Sequence, residues 1–326
     1  HLWRNPRSRR AAAGWDCADG DASLEYRGPQ QDTSAYFRGH HAFVAGEVAA
    51  VAPRCPIMVV RVGYGRPPSW ARGIRYAVAH GARVLVIPHD YIAGEAASGT
   101  PLFYQGTDFA YPADNPGLVA AMRQAGAAGC LIVKGTADNR GRRVASATAA
   151  LDMVLAVGSA NRHGAPADIC DSADYVEVGA PAGERGSADP RDAIWGLGGD
   201  RDYIAMTGGC MASGFAGGVA ALVWSRYPWL NCDQLRQVLR NTARPARGVE
   251  PDADGWEPRL GFGLLDAGRA VSLGDDQLAP AVRLAPWSAT LVGGRQARRL
   301  EVRLRNVGAL DATRVLVTAY DGDPTR

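Results

Sequence analysis

The sequence predicts an α/β fold, a parallel sheet with helices on both faces, followed by the start of an all-β sandwich of the immunoglobulin or fibronectin type III kind. Three observations predict it. From about residue 43 to residue 242, short apolar runs alternate with segments of helical period, the rhythm that a parallel sheet with crossover helices produces. The apolar runs are short and nearly continuous, which suits strands buried on both faces. Beyond residue 280 the pattern becomes strict alternation, the mark of a half-buried strand.

Taken in order, helices are expected at 42–51, 70–80, 116–128, 211–226 and 231–242, and strands at 57–62, 83–87, 130–133, 154–157 and 175–178. The last helix carries its own start signal, because Asn231 is a good N-cap and Asp233 puts an acidic group in the first turn. The stretch 180–202 is rich in Gly, Asp and Arg and reads as a long surface loop, either a partner site or a tolerated insertion. In the tail, Leu300, Val302 and Leu304 alternate with Arg299, Glu301, Arg303 and Arg305, and 288–292 and 314–320 read similarly. These make three or four strands where such a sandwich needs about seven. The organisation expected is one domain over 1–275 and part of a second over 280–326.

Length agrees with this division, since 326 residues exceed the usual size of one domain. A hydrophobic fraction of 47%, a charged fraction of 21% and a net charge of +3 exclude wholesale disorder and give no electrostatic case for nucleic acid. The basic run "RNPRSRR" at 4–10 reads as a solvated loop. No segment approaches the ~18 apolar residues of a membrane span. The chain opens without a signal peptide, as a mature secreted chain or an excised piece of one would. Its six cysteines form no CxxC pair, which argues against a zinc ribbon or thioredoxin-type site and leaves disulfides open. Trp195, Trp224, Trp229 and Trp256 are expected in the core.

Three stretches in order resemble the subtilase family of serine peptidases. "GHHAFVAGEVAAVAP" at 39–53 resembles the family's histidine block, Gly-His-Gly-Thr-x-Val-Ala-Gly. "TGGCMASGFAGGVAALVWSRYPWL", from Thr207, resembles its nucleophile block, Gly-Thr-Ser-Met-Ala-x-Pro and the buried helix after it. "GFGLLDAGRAV" at 261–271 resembles the family's closing segment. The resemblance covers residues 1 to about 272 and implies a subtilisin-like fold.

What it implies about chemistry is less complete. A peptidase of this kind needs a nucleophile, a base, a carboxylate to orient the base and a donor for the oxyanion. His40 takes the histidine position, but His41 and Ala42 replace the small Gly and Thr that come after it. Cys210 stands where the family has serine, Gly209 where it has threonine and Gly214 where it has proline. Asp138 aligns with the oxyanion asparagine, unless a shift of one residue puts Asn139 there. The family's Asp-x-Gly strand is missing, because "HLWRNPRSRRAAAGWDCADGD" resembles the segment just after that strand; Asp32 has only its proximity to the histidine block to recommend it. Pro88 removes a donor from the edge on which a peptide would pair. Asp16, Asp19 and Asp21 read as a solvated acidic turn, with a weak calcium site as the alternative; no other cofactor is expected.

The function expected is therefore a catalytically inactive pseudopeptidase that serves binding or assembly with a protein or peptide partner, outside the cell or at its surface as the resemblance implies. The alternative is an active endopeptidase with Cys210 as nucleophile or with its aspartate supplied upstream. A larger extracellular assembly is a third setting for the same fold.

Overall fold

The computed structural model describes residues 2, 4, 13–24, 35–62, 67–88, 116–136, 138, 148–198 and 202–278, and four short strands between 282 and 306. Asp32, Asn139 and the strand expected at 314–320 lie outside the described residues.

The elements run β1 (Gly14–Asp16), α1 (Ala35–Val51), β2 (Val59–Arg61), α2 (Pro67–Ala79), β3 (Val84–Val86), α3 (Pro116–Ala127), β4 (Leu131–Gly135), β5 (Val154–Ala160) and β6 (Val178–Pro181). There follow β7 (Ile194–Leu197), β8 (Tyr203–Met206), α4 (Gly209–Arg226), α5 (Cys232–Thr242), α6 (Ala267–Val271) and α7 (Asp275–Leu278). In the tail, β9 (Val282–Arg283) pairs antiparallel with β12 (Arg305–Asn306), and β10 (Ala289–Val292) with β11 (Arg299–Val302).

A parallel sheet in the order β3-β4-β5-β6 forms the centre. β4 and β5 are buried almost throughout, which is why their sequences are apolar without alternation. β1 and β2 pair in parallel as a separate two-stranded sheet. The two sheets share an apolar cluster that includes Trp70, Ile74, Leu85, Met122 and Ile132, with Val60 and Val62 packed against it.

α4 is apolar on every side and runs through the middle of the molecule against α1, β3, β4, β5 and β6. Its small residues allow the approach. A Cβ on Gly218 would lie 2.7 Å from the Cβ of Val51, so only glycine lets α1 and α4 come this close. α2 begins with Pro67 and Pro68, whose missing N–H groups need no partner in a first turn. α5 starts where its sequence says: Asn231 accepts from the Gln234 N–H at 2.9 Å and Gln234 returns the bond at 2.9 Å, a reciprocal cap that stabilises the helix by about 1 kcal/mol. Its charged face meets the sheet through Arg236, whose Nε donates to Glu177 at 3.0 Å.

Four expectations are corrected. α1 begins at Ala35 rather than 42, so His40 lies inside a helix and not at its start. The sixth strand runs over Val178–Pro181 rather than 175–178: the Glu177 N–H still bonds the Ala156 carbonyl of β5 at 3.0 Å, but the Glu177 carbonyl accepts from the Phe262 N–H at 2.9 Å instead. The stretch read as a loop at 180–202 contains β7, which forms an antiparallel ribbon with β8. Its inner face, with Gly196 against Phe43, hid the alternation because a glycine took an apolar place. Finally, Trp195 and Trp229 are 56% and 58% exposed, whereas Trp224 is buried and donates to the Leu230 carbonyl at 2.7 Å. No helix among the described residues is long and apolar enough to cross a membrane.

Candidate active site

The side chains singled out in the sequence lie on elements placed by the parallel sheet and by the packing of α1 on α4, the most extensive helix contact among the described residues; Asp138 is brought into contact with the start of α4. β4 delivers Asp138 beyond its carboxyl end, α4 presents Cys210 in its first turn, and α1 carries His40.

His40 is 1% exposed, its ring edge-on to that of His41 at 5.6 Å. Burial, and secondarily the charge on His41, lower its pKa from 6.5 to about 4. The imidazole is therefore neutral at physiological pH and a weak proton acceptor. A carboxylate orienting the ring would push the other way.

Cys210 is the second residue of α4. Its thiol donates to the Pro88 carbonyl, at the end of β3. The side chain packs against an apolar cluster of Phe43, Val44, Met206 and Met211. The proline that breaks the expected peptide-pairing edge thus also supplies the acceptor that holds the sulfur.

Asp138 makes the most telling contact. The helix start at Gly208 has no side chain to cap it, and the Asp138 carboxylate does so from beyond the carboxyl end of β4, with Oδ1 2.8 Å and Oδ2 3.0 Å from the Gly209 N–H. Arg185 Nη2 stands 3.7 Å from the same carboxylate. A fixed negative charge therefore sits at the positive end of the helix dipole, beside the cysteine. A thiolate or an oxyanion forming there would meet repulsion in addition to the loss of a donor.

Gly209 itself is enclosed. A Cβ at this position would lie 2.5 Å from the Thr136 carbonyl oxygen, 3.1 Å from Asp138 Oδ1 and 3.4 Å from Ser159 Oγ. The end of β4 fills the space that a threonine would need.

The acidic turn at the start of the chain is organised around a cation of the protein. Asp16 is buried and accepts from the N–H groups of Ala18 at 2.8 Å and Asp19 at 3.0 Å, while both Asp16 and Asp19 bind the Arg61 guanidinium. Asp21 accepts from the Ser23 N–H at 2.8 Å. This turn fastens β1 to β2.

One residue of the site escaped the sequence reading. Glu47, two turns along α1 from His40, is 4% exposed, and neither carboxyl oxygen has a hydrogen-bond partner among the described residues. Burial raises its pKa from 4.5 to about 9. Its carboxyl occupies the space beside Gly214, where a Cβ would overlap it. The signal was a lone acidic residue on an otherwise apolar helix face. Its meaning needed the partner helix.

The model of the subtilase family matches residues 17–263, more than half of the chain. Among curated proteins, the chain is 29% identical over 246 residues to a thermostable alkaline protease of Halalkalibacterium halodurans, covering 72% of this chain and 58% of that one. It is 29% identical over 276 residues to mycosin-4 of Mycobacterium tuberculosis, covering 74% and 58%. The chain thus spans 58% of the length of each. Among solved structures, a lanthipeptide protease superposes with a TM-score of 0.62 at 18% identity over 79% of both chains. The epidermin leader peptide processing serine protease of Staphylococcus aureus gives 0.60 at 16% identity, over 81% of this chain and 70% of that one. These structural likenesses concern the fold.

Proposed function

The chain belongs to the subtilase family of peptidases, and we propose that it uses the family's scaffold as a catalytically inactive module that binds a protein or peptide partner or serves assembly. The observation that carries this reading is the contact of Asp138 with the Gly209 N–H. A peptidase of this type needs donors pointing at a charge that appears only during reaction. Here the position that the resemblance assigns to a donor side chain carries a carboxylate, and that carboxylate is engaged in capping α4. Loss of one oxyanion donor costs roughly 10²–10³ in rate, before repulsion is counted. His40, with its lowered pKa, and Cys210, bonded to a backbone carbonyl, support the same conclusion. Because the proteins it resembles include an alkaline protease, a lanthipeptide protease and a leader peptide processing protease, the partner proposed is an extended peptide or a protein carrying one. The setting proposed, by resemblance to the family, is extracellular or at the cell surface, with the β-rich tail as a further assembly module.

The test is direct. Incubated with unstructured peptides of varied sequence at pH 7–9, the purified chain is expected to produce no fragments above buffer, and Cys210 to stay unlabelled by a thiol-directed probe at neutral pH. Cleavage that stops when Cys210 is alkylated, together with labelling that disappears in His40→Ala, would establish instead a working thiol peptidase. Asp138→Ala should lower the stability of the fold by about 1 kcal/mol, read as a fall in the denaturation midpoint, because it uncaps α4. It should not create activity, since the remaining groups are unchanged.

A further inference from the structure

At the end of β4 opposite Asp138, two thiols line one pocket. Cys130 is the residue before β4 and is buried, with its Sγ 3.0 Å from the Ala82 carbonyl oxygen. Cys232 is the first residue of α5 and is half-buried. Both line an open pocket of about 370 Å³ with Met153, Asp152, Asp233 and Arg236. Burial is the main cause that raises Cys232 to about 11, and the charge of Cys130 is the next. The walls of the pocket are held in place by arginines. Arg83 stacks on Trp224 at 3.8 Å and reaches the Pro228 and Leu230 carbonyls at 3.5 Å, tying the start of β3 to the segment that enters α5. Arg236 reaches the Asp152 carbonyl at 2.6 Å, tying α5 to the connection before β5.

We propose that Cys130 and Cys232 form a dithiol that closes to a reversible disulfide, pinning the first turn of α5 to the entrance of the central sheet. The oxidant class is a small disulfide such as oxidised glutathione. The thiolate of Cys232, the more accessible of the two, attacks one sulfur of the small disulfide and releases one thiol, leaving a mixed disulfide. The thiolate of Cys130 then attacks the Cys232 sulfur and releases the second. Two protein thiols lose two electrons, the small disulfide gains them, and the two protons pass to the released thiols. The positive Arg83 favours both thiolates and Arg236 that of Cys232, while burial opposes both and Asp233 opposes that of Cys232. The link joins positions about a hundred residues apart, a loop long enough for the constraint on the unfolded chain to be felt.

The experiment uses the whole chain, reduced and then incubated with oxidised glutathione at pH 8.5, and mapped by proteolysis without reduction. The expected result is a peptide pair linked through Cys130 and Cys232, and a thermal midpoint raised by about 5 °C or more that reverts with dithiothreitol. Cys130→Ser should stop the reaction at glutathione on Cys232, and Cys232→Ser should leave Cys130 reduced. Glutathione persisting on Cys232 of the unaltered chain without the internal link would overturn the proposal, as would a link that joins either cysteine to a different partner. Mapping of the unaltered chain decides the matter even if a variant fails to fold.

Discussion

Glu47→Gln is expected to stabilise the fold by roughly 5 kcal/mol at pH 8 while changing it little at pH 4. The carboxyl of Glu47 has a pKa near 9 in the folded chain and an ordinary value of 4.5, the difference arising from burial between α1 and α4. The folded state therefore holds this proton more tightly than the unfolded state does. Below pH 4.5 both states are protonated and the residue contributes no pH dependence. From pH 4.5 to about 9 the unfolded chain releases the proton and the folded chain does not, so stability falls by about 1.4 kcal/mol per unit; above 9 the loss is complete. Glutamine has nearly the same shape and cannot ionise. Urea denaturation of both proteins at pH 4, 6, 8 and 9.5 should show a gap that widens with pH and then levels. A gap that stays constant would mean that the carboxyl reaches solvent, and the packing of Glu47 against Gly214 would have to be redrawn.

Most of the scaffold was legible in the sequence because its signals are local. The cap at Asn231, the continuous apolar runs of β4 and β5, and the small apolar helix after Cys210 each state their structure within a dozen residues. The β7–β8 ribbon was not legible, since Gly196 occupies an inward position and removes the alternation that would announce a strand. The chemistry of the site was half legible. Cys210, Asp138 and Gly209 could be named from their places in the chain, but whether Asp138 would point at the helix or away from it depends on a bond spanning two elements. The same is true of Glu47. Two features that look unrelated in sequence, an acid in α1 and a glycine at 214 in α4, compete for one volume in space. A proline ring at 214 would overlap the carboxyl.

Placing threonine at position 209 is expected to cost the fold about 2–3 kcal/mol or more, although threonine is the residue that the resemblance to the family implies there. The added Cβ would lie 2.5 Å from the Thr136 carbonyl oxygen, an atom of the main chain at the end of β4. It cannot swing aside as a side chain would. Either β4 shifts, against a strand buried on both faces and bonded to β5 through Thr136 N to the Val157 carbonyl at 2.9 Å, or α4 retreats from β4 and opens contacts along its length. Retreat would also separate Gly209 from Asp138, leaving the helix uncapped and the carboxylate less well held. The double variant, Gly209→Thr with Cys210→Ser, should therefore be a less stable protein that still cleaves no peptide, because it reinstates two residue types without the space they occupy in a peptidase. Guanidinium denaturation of Gly209→Thr measures the first part and a peptide-cleavage assay of the double variant the second. Unchanged stability would show that the end of β4 yields easily. Cleavage by the double variant would place the loss of function in the residues alone, with the oxyanion site still open beneath Asp138.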